Sequence, residues 1–457
     1  MVTPEQAAAV RAAAPLTRPE DFRALADAVC AAGADVDRVT LFLKAEASDF
    51  VRFNRGAVRQ ATQVHQAYAT LAVVRGLRRI ESTLSLSGRV DEDAESLLAE
   101  RRTLTGQLDD LPDDPYLLLP DRVESGHRHE TGTLPTVDAL VATVAEAARG
   151  LDFVGFYAGG PVVRAFADSR GQRNWHHVES FHIDWCLYHA ADKAVKSAYA
   201  GTRWEAHEFV HRVAAAAQRL QLLTRPPRAL KAGGYRAYFT PTAMVELLGT
   251  AGWGGFGAKA RRTGTSSFTR LAQGEARLHD GVRLLEDTAG GVAPAFTAEG
   301  FVKPPQVVLV EAGRAVDTLN SPRSAREYGL QANGANGQES PEALSLATGV
   351  LPASEVLGAL DTGLYVSNLW YLNYSDRPAC RMTGMTRFAC FWVERGRLVE
   401  PLEVMRFDDS FLRMFGEGLL GLADAAEQIP ESGTYLERQL ASVTTPGALV
   451  EGWRLTL

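Results

Sequence analysis

Cysteine is scarce: Cys30, Cys186, Cys380 and Cys390 are all there is in 457 residues. None stands in CxxC spacing, which excludes a zinc ribbon or a paired redox motif, and four thiols in so long a chain are no disulfide framework. No uninterrupted apolar run approaches the ~18 residues that a membrane span needs. Met1 to Phe22 lacks a basic stretch followed by an apolar block, so it does not read as a secretory signal. An excess of positive charge is missing too. Lys and Arg total 48 against 55 Asp and Glu, a formal charge of −7. Without a long basic run, nucleic acid is not the expected partner. These absences describe a soluble, cytoplasmic protein with neither a nucleic-acid nor a membrane partner.

What is present is ample apolar material, 46% of the chain. That length exceeds one ordinary core and predicts two domains. Thr17 to Glu20 reads as a helix start, with Phe22, Leu25, Ala26 and Val29 as its stripe. From Val36 to Leu86 the pattern turns to Val-, Thr- and aromatic-rich strands, broken at Asn54-Arg55-Gly56 and at Gly76. A helix is expected from Asp91 to Leu104, then a loop over the Asp- and Pro-rich 106–130. Another helix follows over Thr136 to Ala148. Strands are expected as LDFVGFYAG, PVVRAFADS and HHVESFHIDWCLYHA, before a clear helix over Trp204 to Leu223. Pro226-Pro227 and Gly233-Gly234 then mark a boundary, giving domains 1–225 and 226–457. Strand and helix groups do not alternate regularly. The expected class is α+β, with largely antiparallel sheets, packed helices and a strand-rich C-terminal domain.

His207-Glu208-Phe209-Val210-His211 is the sharpest chemical pattern. HExxH on a helix sets two imidazoles one turn apart to hold zinc, with Glu208 as base for the bound water. Against it, Phe209, Val213, Ala217 and Leu220 form an apolar stripe that leaves His207 and His211 on its flank. No Asp, Glu, His or Cys occurs between Arg212 and Val245 to serve as third ligand. An amphipathic helix with flanking histidines is the plainer reading. His182, Asp184 and Cys186 share one strand face and raise a nucleophile or metal cluster, against ordinary packing. Gly252 to Lys259 mimics a phosphate loop but lacks its Lys-Ser/Thr pair. Asn368 to Arg381 gathers amides, hydroxyls and guanidinium groups able to hold peptide backbone or a carboxylate.

The ordered segments SDFVRFNRGAVRQATQ, LAVVRGLRRIESTLSLSG, GGYRAYFTPTAMVELLG, SSFTRLAQGEARL and GLYVSNLWYLNYSDRPACRMTGMTRFACFWVERGRLVEPLEV resemble the TldD/PmbA family. This family is related to metalloproteases, and its members were once called modulators of DNA gyrase. The resemblance implies two domains, assembly as hetero- or homodimers, and action on short or unfolded peptides. In the TldD branch an HExxxH motif and a cysteine near the C-terminus bind the metal. Here Gly249, Thr250 and Gly254 fall at the motif's His, Glu and His positions, and no cysteine follows Leu420. The chain is thus similar to the PmbA (TldE) branch. The implied role is an accessory subunit that needs no cofactor of its own, its TldD-like partner supplying zinc and itself holding peptide. Asn373, Ser375, Arg377 and Arg381 are the candidate substrate contacts. The rival readings are a self-contained zinc peptidase built on His207, Glu208 and His211, and a non-catalytic peptide-binding or maturation homodimer.

Overall fold

The computed structural model of the chain describes residues 16–31, 33, 35–190 and 193–456. The signal-peptide reading falls mostly on residues outside this range.

The first sheet is built from β1 (Arg38–Asn54), β2 (Ala57–Arg75), β3 (Arg78–Ser85), β4 (Gly126–Glu130), β5 (Asp152–Asp168), β6 (Arg173–Ala190) and β7 (Lys193–Gly201). Its order is β3-β2-β1-β5-β6-β4, with β7 pairing the later part of β6 that β4 does not reach. Alternation along β1 sends Val39, Leu41 and Leu43 to one face and Phe42, Lys44 and Glu46 to the other. Helices α1 (Pro19–Val29) and α2 (Val90–Gln107) cover the first face at one end. There Phe22, Leu25, Leu97 and Leu104 are buried against Leu41, Leu43 and Leu71. At the other end lie α3 (Val137–Ala147), capped by the Thr136 hydroxyl, and α4 (Ala206–Leu222). Phe209 is seated at ring-centroid distances of 5.1 Å from Trp185 and 5.3 Å from Trp204.

Two local expectations are corrected. The 106–130 segment is not all loop, because Gly126–Glu130 adds as a parallel strand to β6. The two strands expected at LDFVGFYAG and PVVRAFADS are one, β5, running through Gly159-Gly160-Pro161. Pairing with β1 lapses only opposite Ala47 and Ser48, where Pro161 has no N–H to donate.

The second sheet holds β8 (Gly233–Phe239), β9 (Leu284–Glu286), β10 (Val307–Glu311), β11 (Arg314–Ala315), β12 (Ala343–Leu346), β13 (Gly363–Val366) and β14 (Asn368–Asp376). It continues with β15 (Arg381–Arg387), β16 (Phe391–Glu394), β17 (Arg397–Pro401), β18 (Arg406–Ser410), β19 (Leu419–Pro430) and β20 (Ser442–Leu455). β20 is its hub, pairing with β8, β12, β18 and β19. Helix α5 (Pro241–Gly252) packs on it through Met244, Leu247 and Leu248. The fold is therefore α+β and largely antiparallel, as the pattern implied.

The two sheets share apolar contacts. The cluster around Phe209 and Val213 also takes in Tyr238, Tyr365, Phe391, Val393 and Leu449 of the second sheet. A polar staple completes the junction. Arg438, buried on the loop between β19 and β20, donates to the carbonyls of Gly160 (2.9 Å) and Ser180 (2.8 Å) and to the Ser180 hydroxyl (2.9 Å). Beside it, Glu437 meets Lys44 at 2.8 Å and Arg164 at 3.1 Å.

Candidate functional site

A cleft of about 1500 Å³ opens where the sheets meet. One wall is the outer edge of β7, residues Lys196–Gly201, and another is the end of β19, Ala425–Pro430. Among the described residues β7 pairs only with β6, and β19 only with β20 apart from a short contact of Leu422–Asp424 with Gly349–Leu351. Among the described residues, no other backbone group bonds the outward edges of Lys196–Gly201 and Ala425–Pro430. Such edges present rows of N–H and C=O groups able to accept another strand.

The remaining walls follow from helical periodicity. Phe209, Val213 and Ala216 bury one side of α4, which turns Glu208, His211, Arg212, Ala215 and Arg219 toward the cleft. From α5 come Glu246, Gly249 and Thr250, followed by Trp253. Arg212 crosses between walls. It donates to Glu208 at 2.6 Å and to the Ala198 carbonyl of β7 at 3.3 Å, and lies 3.7 Å from Glu427 of β19. Crowding by the walls raises the carboxyl groups of Asp184 and Glu246, and Lys196 pulls both back. The Arg219 guanidinium lies over the Tyr365 ring, 5.8 Å from its centroid.

The HExxH residues do not assemble a zinc site. His207 is 83% exposed on the outer side of the helix, 3.8 Å from Glu205. Glu208 is engaged by Arg212, while His211 alone of the two imidazoles lines the cleft. Among the described residues no three His, Cys, Asp or Glu side chains converge as metal ligands. These residues do not fit a catalytic zinc, because two imidazoles without a converging third donor leave the coordination incomplete.

His182, Asp184 and Cys186 do share a strand face. His182 and Cys186 are four residues apart, about 13 Å along a strand, beyond proton-transfer reach. Burial raises the Cys186 thiol, with Lys196 opposing, and depresses His182 to about 3. Neither is poised as nucleophile or base. The glycine-rich stretch is a packing device. A side chain on Gly255 would strike the Ala251 carbonyl and Phe268, and one on Gly257 would strike Glu339. The Glu339 carboxylate already accepts the Lys259 N–H at 2.8 Å, where a phosphate would have to sit.

The four expected substrate contacts are dispersed. Asn373 and Ser375 lie on the exposed side of β14. Arg377 reaches the rim, its guanidinium 5.0 Å from the Trp253 ring centroid and 4.7 Å from that of Tyr374. Arg381 faces Asp408 at 3.5 Å in a separate depression beside Arg406 and Arg454. Sequence reasoning passed over Lys196, Arg212, Arg219, Glu246 and Glu427. Spacing alone offered one sign, since residues 208, 212, 215 and 219 keep to one helical flank.

Residues 232–456 match the family model described as the PmbA/TldA metallopeptidase C-terminal domain. The C-terminal part of the chain is thus a PmbA/TldD-family domain. Comparison with curated proteins finds no match. Among solved structures, TldE from Thermococcus kodakarensis is similar, with a TM-score of 0.78 at 13% identity over 93% of this chain and 97% of that one. A candidate modulator of a DNA gyrase from Thermotoga maritima gives 0.71 at 14% identity, covering 92% of this chain and 96% of that one. Another, from Bacteroides thetaiotaomicron, gives 0.71 at 14% identity over the whole of both chains. At such identities the likeness is one of fold.

Within this PmbA/TldD domain, the three positions that the resemblance assigns to HExxxH are not equivalent. Gly249 and Thr250 lie in the last turn of α5 and line the cleft. Gly254 lies past the helix end at φ +70°, with Arg377 beside it. Glycine at two positions and a hydroxyl at the third provide no imidazole or carboxylate to hold a metal or take a proton.

Proposed function

We propose that this chain is the peptide-holding, TldE-like subunit of a TldD-type metalloprotease complex, with the metal carried by the partner subunit. The observation that carries this reading is the pair of open strand edges facing one cleft. An extended peptide laid along β7 or β19 is held through its backbone, so its side chains need not match a fixed sequence. Lys196 and Arg219 supply positive charge in the same space, and Arg212 yields the Ala198 carbonyl to the incoming strand.

The test is binding of a short labelled peptide to the purified chain, followed by fluorescence anisotropy. Methylating alternate backbone nitrogens of the peptide removes donors without changing its side chains. Affinity is expected to fall at least about tenfold. Equal affinity for the two peptides would exclude strand addition. The subunit assignment is tested by adding a TldD-type chain with an intact HExxxH motif: hydrolysis is expected only with both chains. Hydrolysis by this chain alone would overturn it.

A further inference from the structure

The second face of the first sheet is covered unevenly. At one end Phe42 and Phe166 pack on Phe296, and Glu437 and Arg438 close the junction. At the other end Phe50, Phe156, Val154, Asp184 and Cys186 lie half-buried or exposed, next to the mouth of the cleft. Phe50 and Phe156 stack at 5.9 Å. The second domain extends this surface. Lys196, opposite Cys186 in register, lies 6.0 Å from the Phe388 ring centroid, and Arg387 sits over both Phe388 (5.2 Å) and Trp370 (4.8 Å). Trp370, Tyr371 and Trp253 are 48%, 76% and 58% exposed.

Two observations say that this surface waits for something. Tyr371 and Phe388 hold φ of 60° and 59°, a left-handed conformation that costs a bulky L-residue about 1–3 kcal/mol. A bulge between Trp370 and Asn373 lifts Tyr371 outward. Strain spent on displaying the Tyr371 ring to water has no return within the chain. Cationic charge is left over as well. Arg52, Arg377 and Arg387 each lie over an aromatic ring, and among the described residues none of the three has a carboxylate at ion-pair distance. Exposed Trp, Tyr and stacked Arg are the residue types that anchor protein interfaces.

We propose that this aromatic and cationic surface, running from Phe50 and Phe156 to Trp370, Tyr371 and Arg387, docks a different polypeptide that presents carboxylates. This deepens the reading above, naming where its partner subunit would sit: over the mouth of the cleft. A second copy of this chain is the poorer occupant, because a two-fold axis through the surface sets like charges against each other.

Sedimentation velocity of the full-length chain with a TldD-type subunit bearing the HExxxH motif tests this. Arg387→Glu and Trp370→Ala are each expected to weaken the complex at least about tenfold. Affinity of the unaltered pair should fall steeply with salt. Tyr371→Ser, at an exposed residue, gives a second variant that carries little folding risk. Unchanged affinity in all three variants, no complex with the unaltered chain, or a homodimer that these substitutions dissolve would each overturn the proposal. So would single-stranded DNA binding that Arg387→Glu abolishes while no protein complex forms. A complex lost with peptide binding intact supports the surface, whereas peptide binding lost with the complex intact defeats the peptide-holding reading alone.

Discussion

Three histidines on β6 are carried into the fold uncharged. Burial, with Arg128 nearby, lowers His176 to about 3; burial beside His129 lowers His177 to about 4; burial near Arg438 lowers His182 to about 3. The unfolded chain protonates such groups near pH 6.5, so their stabilisation is complete above that pH and is lost as pH falls toward 3–4. At pH 5 each imidazole costs about 2 kcal/mol. Glu286 acts oppositely. Burial lifts its carboxyl to about 7 despite N–H bonds from Glu342 and Ala343, so the stability it contributes is present in acid and lost as pH rises through 7. The histidines outnumber it. Urea midpoints are expected to fall from pH 7.5 to pH 5, and His182→Phe should remove about one proton from that slope. An unchanged slope would mean that His182 is already charged in the folded chain. Arg438 offers a second residue-scale prediction. Its truncation to Ala strands two buried carbonyls and should cost about 3 kcal/mol in urea unfolding. A loss under about 1 kcal/mol would show that the staple is dispensable.

Among the elements, α4 separates packing from display. Phe209→Ala empties a site ringed by Phe153, Trp185 and Trp204, and is expected to cost about 3–5 kcal/mol. His207→Ala touches a solvated side chain and should stay within about 0.5 kcal/mol. Comparable thermal shifts for the two would contradict the placement of the helix. β5 makes a related case. Gly160 has φ +144° and packs on the Ala47 carbonyl, so Gly160→Ala should lower the melting temperature sharply. Full retention would show that β1 can move aside. The β5 example also explains what pattern reading missed, since Gly-Pro reads as a break. A proline whose missing donor falls in a pairing gap leaves the strand continuous. The Gly126–Glu130 strand was illegible for another reason: its pairing depends on β6, some fifty residues later in the chain.

At the scale of the whole molecule the shared apolar cluster couples the two sheets, because α4 packs on both. Tryptophan fluorescence and far-UV circular dichroism are therefore expected to report one coincident unfolding transition. Two separated transitions would mean that the domains unfold independently.

Local chemistry was enough to specify the four helices before Pro226, many of the strands and the α+β class, because apolar period and turn residues act over a few positions; the helix Pro241–Gly252 was not singled out. The ordered segments likewise carried the PmbA/TldD resemblance without any coordinates. Only the tertiary structure decided that β7 and β19 end as open edges on one cleft, that Glu208 is bound to Arg212, and that Asn373, Ser375, Arg377 and Arg381 stand apart. Edges, ion pairs and convergence are relations between residues distant along the chain. Their energies depend on which surfaces meet, and no local pattern encodes that.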